Sequence, residues 1–200
     1  MKKTLLIGMV TTQLLTQLYA GGDISPAEIE KNTLAPIVNA SEESNFYVIA
    51  KGMILLGDTV QHEDATLDGY RCLGLGLDVG YRVGYGFAIE YDFSYGQNTV
   101  IEKRGEERER GTGEYYTSSL DLVYTQEITK RLGIFGKVGY EYEWETISEY
   151  DIDNQNHDFV FGLGVENEIN ESYKLVAEYE HSLIEGPHGD TVFAGVMYNF

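Results

Sequence analysis

The sequence predicts an all-β chain, an eight-stranded antiparallel up-and-down transmembrane β-barrel built from residues 45–200. Three observations predict it. Eight stretches alternate apolar and polar residues with a period of two, their connections alternate between short and long, and aromatic residues gather at the ends of the apolar rows.

The elements follow in chain order. Residues 1–20 read as an export signal: Lys2 and Lys3 make a basic start, Thr4 to Leu18 is mostly apolar, and small residues frame a cleavage point after Ala20. Thr11, Thr12, Gln13, Thr16 and Gln17 dilute that stretch below the ~20 apolar residues of a spanning helix. Residues 21–44, with Pro26 and Pro36 and no sustained periodicity, are expected to form a periplasmic tail. The first apolar row is Phe46, Val48, Ala50, Gly52, Ile54 and Leu56, although Tyr47, Ile49, Met53 and Leu55 make its second face apolar too. The next two are Leu73, Leu75, Leu77, Val79, Tyr81 and then Phe87, Ile89, Tyr91, Phe93, Tyr95. Tyr116, Ser118, Leu120, Leu122, Tyr124 precede a second six-residue row, Ile134 to Trp144. The chain closes with Phe159 to Val165, Tyr173 to Tyr179, and Val192 to Phe200. The 40 row positions hold no charged residue in a chain that is 24% charged, so one face of every strand is apolar without interruption.

Orientation decides between a soluble barrel with these rows inside and a membrane barrel with them outside. The connections 82–86, 128–132 and 168–172 are short, whereas 57–69, 97–113, 145–157 and 182–189 are longer and polar, as periplasmic turns and outer loops are. Aromatics at both ends of the rows suit two interfacial girdles, and rows of four to six residues suit an apolar band about 25 Å tall. A closed barrel also leaves no unpaired edge facing lipid. The charge balance of 14 Lys plus Arg against 33 Asp plus Glu excludes a nucleic-acid partner, since phosphate binding needs a basic footprint.

The stretch Gly74 to Tyr95, a glycine-rich strand, a short turn and an aromatic-acidic strand, resembles the second hairpin of small OmpA/OmpX-type outer-membrane barrels. The terminal Val196, Tyr198 and Phe200 resemble the C-terminal signal of that family. The resemblance implies insertion by the barrel-assembly machinery, contact with outer-membrane lipid and lipopolysaccharide, and a monomer in the cell outer membrane with a structural or surface-interaction role and no cofactor.

With the rows outside, the opposite faces line the lumen. They place Lys51, Asp78, Arg82, Glu90, Asp92, Asp121, Lys137, Glu141, Glu143, Glu166, Lys174 and Glu178 inside, together with Glu145, Asp158 and Glu180. Crowded carboxylates must pair, protonate or recruit cations, so an ion-pair plug is expected, with Lys137 among Asp121, Glu141 and Glu166. The competing reading is a narrow cation-preferring pore. Gly74, Gly76, Gly80, Gly139, Gly162, Gly164 and Gly195 would make room for the long side chains.

Catalysis and metal binding find little support. His181 and Ser182 bear a superficial resemblance to the site of eight-stranded lipid A deacylases, but they are adjacent and point to opposite faces, whereas that family spaces them two apart. His62, His157 and His188 are expected to be solvated loop residues. Asp151, Asp153 and Asn154 lack the calcium-loop pattern, so no metal site is expected. Cys72 is single and faces inward as a packing residue. Lys103, Arg104, Arg108 and Arg110 form a mixed-charge loop tip able to meet lipopolysaccharide phosphates.

Overall fold

A computed structural model describes residues 44–62 and 64–200. The expected signal and most of the expected tail lie outside the described residues. Ten strands follow in order: β1 (Phe46–Leu55), β2 (Thr59–His62), β3 (Ala65–Gly69), β4 (Cys72–Gly84), β5 (Phe87–Arg104), β6 (Glu107–Glu127), β7 (Leu132–Ile147), β8 (Ile152–Glu168), β9 (Tyr173–Ser182) and β10 (Thr191–Asn199). A 3-10 turn, Ser148–Tyr150, joins β7 to β8.

Eight strands close a ring. β1 pairs antiparallel with both β4 and β10, and the remaining neighbours are β4–β5, β5–β6, β6–β7, β7–β8, β8–β9 and β9–β10. Closure satisfies every backbone ladder internally, which lipid demands. The short connections all lie at one end; in the tightest, Gly84, Tyr85 and Gly86 take φ values of 103°, 56° and 83°, and a neighbouring bulge shifts the register between Arg82 and Gly84.

The long connections differ from expectation. In the connection after β1, β2 and β3 pair as a hairpin, and β3 pairs with β5 from Thr66↔Lys103 to Gly69↔Val100. Residues 97–113 are largely strand: β5 and β6 stay paired out to Arg104↔Glu107, so the loop is a two-residue turn at Gly105. At 18 and 21 residues these strands exceed the 9–11 that cross a bilayer, and their outer halves, joined by β3 and β2, form a blade beyond it. Val100 and Thr99 continue the alternation in β5, and Leu67 and Val100 bury with Ile147 and Ile152 at the blade's foot. Apolar burial thus explains strand in a segment whose charges suggested loop.

The orientation is the one the patterning requires. Leu75, Leu163 and Leu120 are 71%, 67% and 61% exposed on the outer face, whereas Asp78, Asp121 and Glu143 are 0–1% exposed within. Aromatic pairs ring both ends of the band: Phe46–Tyr81, Phe87–Tyr124 and Tyr198–Phe200 beside the turns, with centroids 4.8–4.9 Å apart, and Tyr95–Tyr116 beside the loops at 4.7 Å.

Candidate functional site

The lumen is layered. Tyr47, Ile49, Ala88, Val123, Phe135, Val176 and Met197 form an apolar cluster near the turn end, and Met53, Leu55, Tyr115 and Phe193 form another toward the loops. The doubly apolar β1 supplies both: Tyr47 and Ile49 lie on one side of Lys51, Met53 and Leu55 on the other. Lys51 is therefore held between two oily layers, where an ammonium persists only if its charge is met.

Four carboxylates meet it and Lys137. Lys51 Nζ lies 2.9 Å from Asp78 Oδ1, 2.5 Å from Asp92 Oδ2 and 3.9 Å from Glu178 Oε2. It also sits 4.1 Å from the centre of the Phe193 ring. Lys137 Nζ lies 2.7 Å from Glu178 Oε1, 3.1 Å from Glu180 Oε2 and 3.5 Å from Asp92 Oδ2. Asp92 and Glu178 bridge the two lysines, whose side chains are wholly buried. Six residues from β1, β4, β5, β7 and β9 thus tie opposite walls of the ring together.

Glycines set how close those walls come. A Cβ on Gly162 would stand 2.5 Å from Lys137 Cγ, one on Gly195 3.0 Å from Lys51 Cγ, and one on Gly164 2.3 Å from the Phe135 ring. Lys137, Lys51 and Phe135 thus each lie across a glycine of a neighbouring strand, at Gly162, Gly195 and Gly164, all three expected to make room for long side chains.

The lysine partners and several other inward residues depart from expectation. Glu180, Glu178 and Asp92 surround Lys137; Asp121, Glu141 and Glu166 do not ion-pair with it. Lys137, on β7, leans toward β9 through Glu178 and Glu180, while Asp121 Oδ2 accepts from Ser119 Oγ at 2.7 Å and Glu141 Oε1 from Ser182 Oγ at 2.8 Å. Glu166 pairs with Lys174 at 2.6 Å near the turn end. Arg82 is not part of the charged layer either: it lies four residues beyond Asp78, about 13 Å at strand rise, and donates to Asn199 Oδ1 at 2.6 Å with its guanidinium 4.5 Å from the Tyr47 ring centre. Glu90 Oε1 accepts from Tyr47 Oη at 2.6 Å.

His188 is the largest miss. It is buried in the outer neck, with Nε2 3.0 Å from Glu143 Oε2, because the connection 183–190 folds inward over the lumen. A single imidazole in a Gly-Pro-His-Gly loop carries no periodicity, so nothing in the sequence signals its insertion. His181 and Ser182 do diverge: His181 Nδ1 meets Asp190 outside at 2.6 Å, while Ser182 points inward to Glu141. His157 lies on the outer face against Tyr140 Oη at 2.6 Å. Cys72 is half-buried, and among the described residues no group of three His, Cys, Asp or Glu is arranged to hold a metal ion.

Two spaces flank the charged layer. A vestibule of about 400 Å³ opens at the turn end beside Arg82, Glu90, Phe135 and Lys174. A space of about 20 Å³ remains at the loop end between Tyr115, Glu141, Glu143 and His188.

Comparison with known proteins places this architecture. Among solved structures the chain is similar to Neisserial surface protein A (NspA), with a TM-score of 0.55 at 14% identity, over 78% of this chain and 98% of that one. It also matches Ail, the attachment invasion locus protein of Yersinia pestis, at a TM-score of 0.48 and 16% identity, over 79% and 98%. The N-terminal β-barrel domain of Pseudomonas aeruginosa OprF matches at 0.47 and 18%, over 80% and 100%. At 14% identity the likeness to Neisserial surface protein A is one of fold. No curated protein sequence matches the chain. The family model for the outer membrane protein beta-barrel domain matches residues 11–200, and the chain accordingly belongs to that family of outer-membrane barrels.

Proposed function

We propose that the protein is a closed, non-catalytic barrel of the outer membrane whose interior is plugged by its acidic ion-pair layer and whose outer blade serves a structural or surface-interaction role. The observation that carries this reading is the burial of Lys51 and Lys137, both with fully covered side chains, among Asp78, Asp92, Glu178 and Glu180. An eight-stranded lumen is just wide enough for its own side chains, and here apolar clusters cover the charged layer on both sides. Planar-bilayer recording tests it: the wild-type protein is expected to give no unit conductance, and steady cation-selective steps at neutral pH would overturn the plug.

Those steps would favour the second reading, a narrow cation-preferring channel. Two lysines against four carboxylates and the turn-end vestibule are the observations on its side. An enzyme acting on lipid A is the weaker reading, since Ser182 and His181 face opposite ways; lipid A recovered intact after expression is the expected result.

Residues 1–20 act in this reading as the export signal and 21–44 as a periplasmic tail. Val196, Tyr198 and Phe200 are the segment offered to the barrel-assembly machinery before they turn to lipid, and the barrel works as a monomer. On the blade, Lys103 already pairs with Asp68, and Arg104 with Glu102 and Asp64, which leaves Arg108 and Arg110 as the cations for lipopolysaccharide phosphate.

A further inference from the structure

The connection from β9 to β10 is seated too deeply for a surface loop. Pro187 is among the most completely buried residues, and Ile184 is 8% exposed. Its backbone is bonded along the start of the outer hairpin: Leu56 N donates to Asp190 O at 2.9 Å, Gly57 N to His188 O at 2.9 Å and Asp58 N to Pro187 O at 3.2 Å. Asn98 Nδ2 donates to Pro187 O at 2.9 Å, and Asn98 Oδ1 accepts from Tyr115 Oη at 3.0 Å. The seat is cut to fit, since a Cβ on Gly69 would lie 1.7 Å from Pro187 O and one on Gly189 would lie 2.7 Å from Gly57 O. A two-sided fit of backbone into backbone marks a docked segment.

His188 pins that segment. Its Nδ1 faces Gly189 O at 2.7 Å and its Nε2 faces Glu143 Oε2 at 3.0 Å. Gly189 O can only accept, so Nδ1 donates to it, and Nε2 stands at ion-pair distance from the Glu143 carboxylate without hydrogen-bond geometry, a charge contact that only the imidazolium makes. Its ring edge meets Tyr115 at a centroid distance of 5.2 Å. The groups facing it are Glu141, Glu143 and Glu145 of β7, Tyr115 of β6, Glu180 of β9 and Asp190 of its own connection. Carboxyl groups thus surround the ring on several sides.

We propose that residues 183–190 are a lid over the outer neck of the lumen, pinned shut by the His188 imidazolium against Glu143 and released when that ring is uncharged. Opening uncovers Glu141, Glu143 and Glu145, a ladder of carboxylates that becomes open to cations from outside. The direction of the pH response follows from the linkage. Burial alone would lower the imidazole's value, but the Glu143 carboxylate, aided by Glu141 and the Gly189 carbonyl, lifts it from 6.5 to about 9. A raised folded-state value stabilises the closed form fully below pH 6.5 and loses that stabilisation as pH rises through about 9. The lid is therefore locked at neutral pH and loosens in alkali.

The test compares two single-cysteine proteins in a Cys72→Ser background: Ile184→Cys, on the buried side of the lid, and Glu185→Cys, on its exposed side. Each is reconstituted in lipid vesicles, checked for the heat-modifiable gel shift of a folded barrel, and labelled with a membrane-impermeant maleimide. The ratio of the two labelling rates removes the reagent's own pH dependence. The ratio is expected to be low near pH 7 and to rise about tenfold or more by about pH 10. With His188→Gln added, it should be high and flat with pH. With Glu143→Gln added, which leaves the ring in place without its counter-charge, the rise should move to lower pH. A wild-type ratio that does not change with pH, or a His188→Gln protein as protected as wild type, overturns the proposal. A plug that conducts in bilayers would not, because the lid and the charged layer are separate contacts.

Discussion

Replacing Lys137 with methionine keeps the length of the side chain and removes only its charge. The ammonium it deletes lies 2.7 Å from Glu178, 3.1 Å from Glu180 and 3.5 Å from Asp92, with no exposed side-chain surface. At an effective dielectric of about 20, each of those contacts is an attraction of about 5 to 6 kcal/mol. Most of that sum is offset in the native protein by the cost of drying four ions, so the attraction overstates the loss. What the variant suffers is the residue of an incomplete cluster: three carboxylates facing one remaining lysine, Lys51, which is already committed to Asp78 and Asp92. Breaking a buried pair in this way costs about 3–5 kcal/mol. The assay is urea unfolding in lipid vesicles, followed by the fluorescence of Trp144, the chain's one tryptophan, which sits 41% exposed on the lipid face. Adding Glu178→Gln to Lys137→Met removes one of the stranded charges and should recover at least about 1 kcal/mol, a coupling that independent sites do not show. A Lys137→Met protein within about 1 kcal/mol of wild type, with no recovery in the double variant, would mean that the charged layer is hydrated, and the plug with it would fail.

Other outcomes follow from the same geometry. Gly164→Ala puts a methyl 2.3 Å from the Phe135 ring and 2.6 Å from the Ala177 carbonyl, and should cost about 1–3 kcal/mol in the same unfolding assay. Gly136→Ala, on the lipid face with its nearest neighbour 3.8 Å away, should stay within about 0.5 kcal/mol of wild type. Leu120→Arg, midway along the outer row of β6 and 61% exposed to lipid, should lose about 2–4 kcal/mol, where a soluble barrel with that residue in water would lose almost nothing. Phe200→Ala should lower the yield of folded barrel in cells, read as the heat-modifiable fraction of the outer membrane. It should leave the unfolding midpoint of protein refolded into vesicles nearly unchanged, since the ring is 58% exposed and its contact is the neighbouring Tyr198.

Sequence by itself determined the barrel and its orientation. Alternation is a property of a single strand and sends eight uncharged rows to an apolar phase, and the alternating connection lengths, the aromatic row ends and the row lengths choose lipid over a soluble core for that phase. It also determined that Lys51, Asp78, Asp92, Lys137 and Glu178 share the lumen, since parity alone sends them there. The outer blade was hidden, because charged Lys103 to Arg110 reads as loop until β3 pairs with β5 and Leu67 and Val100 find Ile147 and Ile152. Tertiary structure alone decided which base meets which acid. Partners across a closed ring are fixed by the stagger of the strands, and that stagger set Glu178 and Glu180 at Lys137, left Arg82 with Asn199, and gave Glu166 to Lys174. The same holds for His188: a loop residue has no period to read, and its place in the neck comes from backbone meeting backbone at Gly57, Gly69 and Pro187.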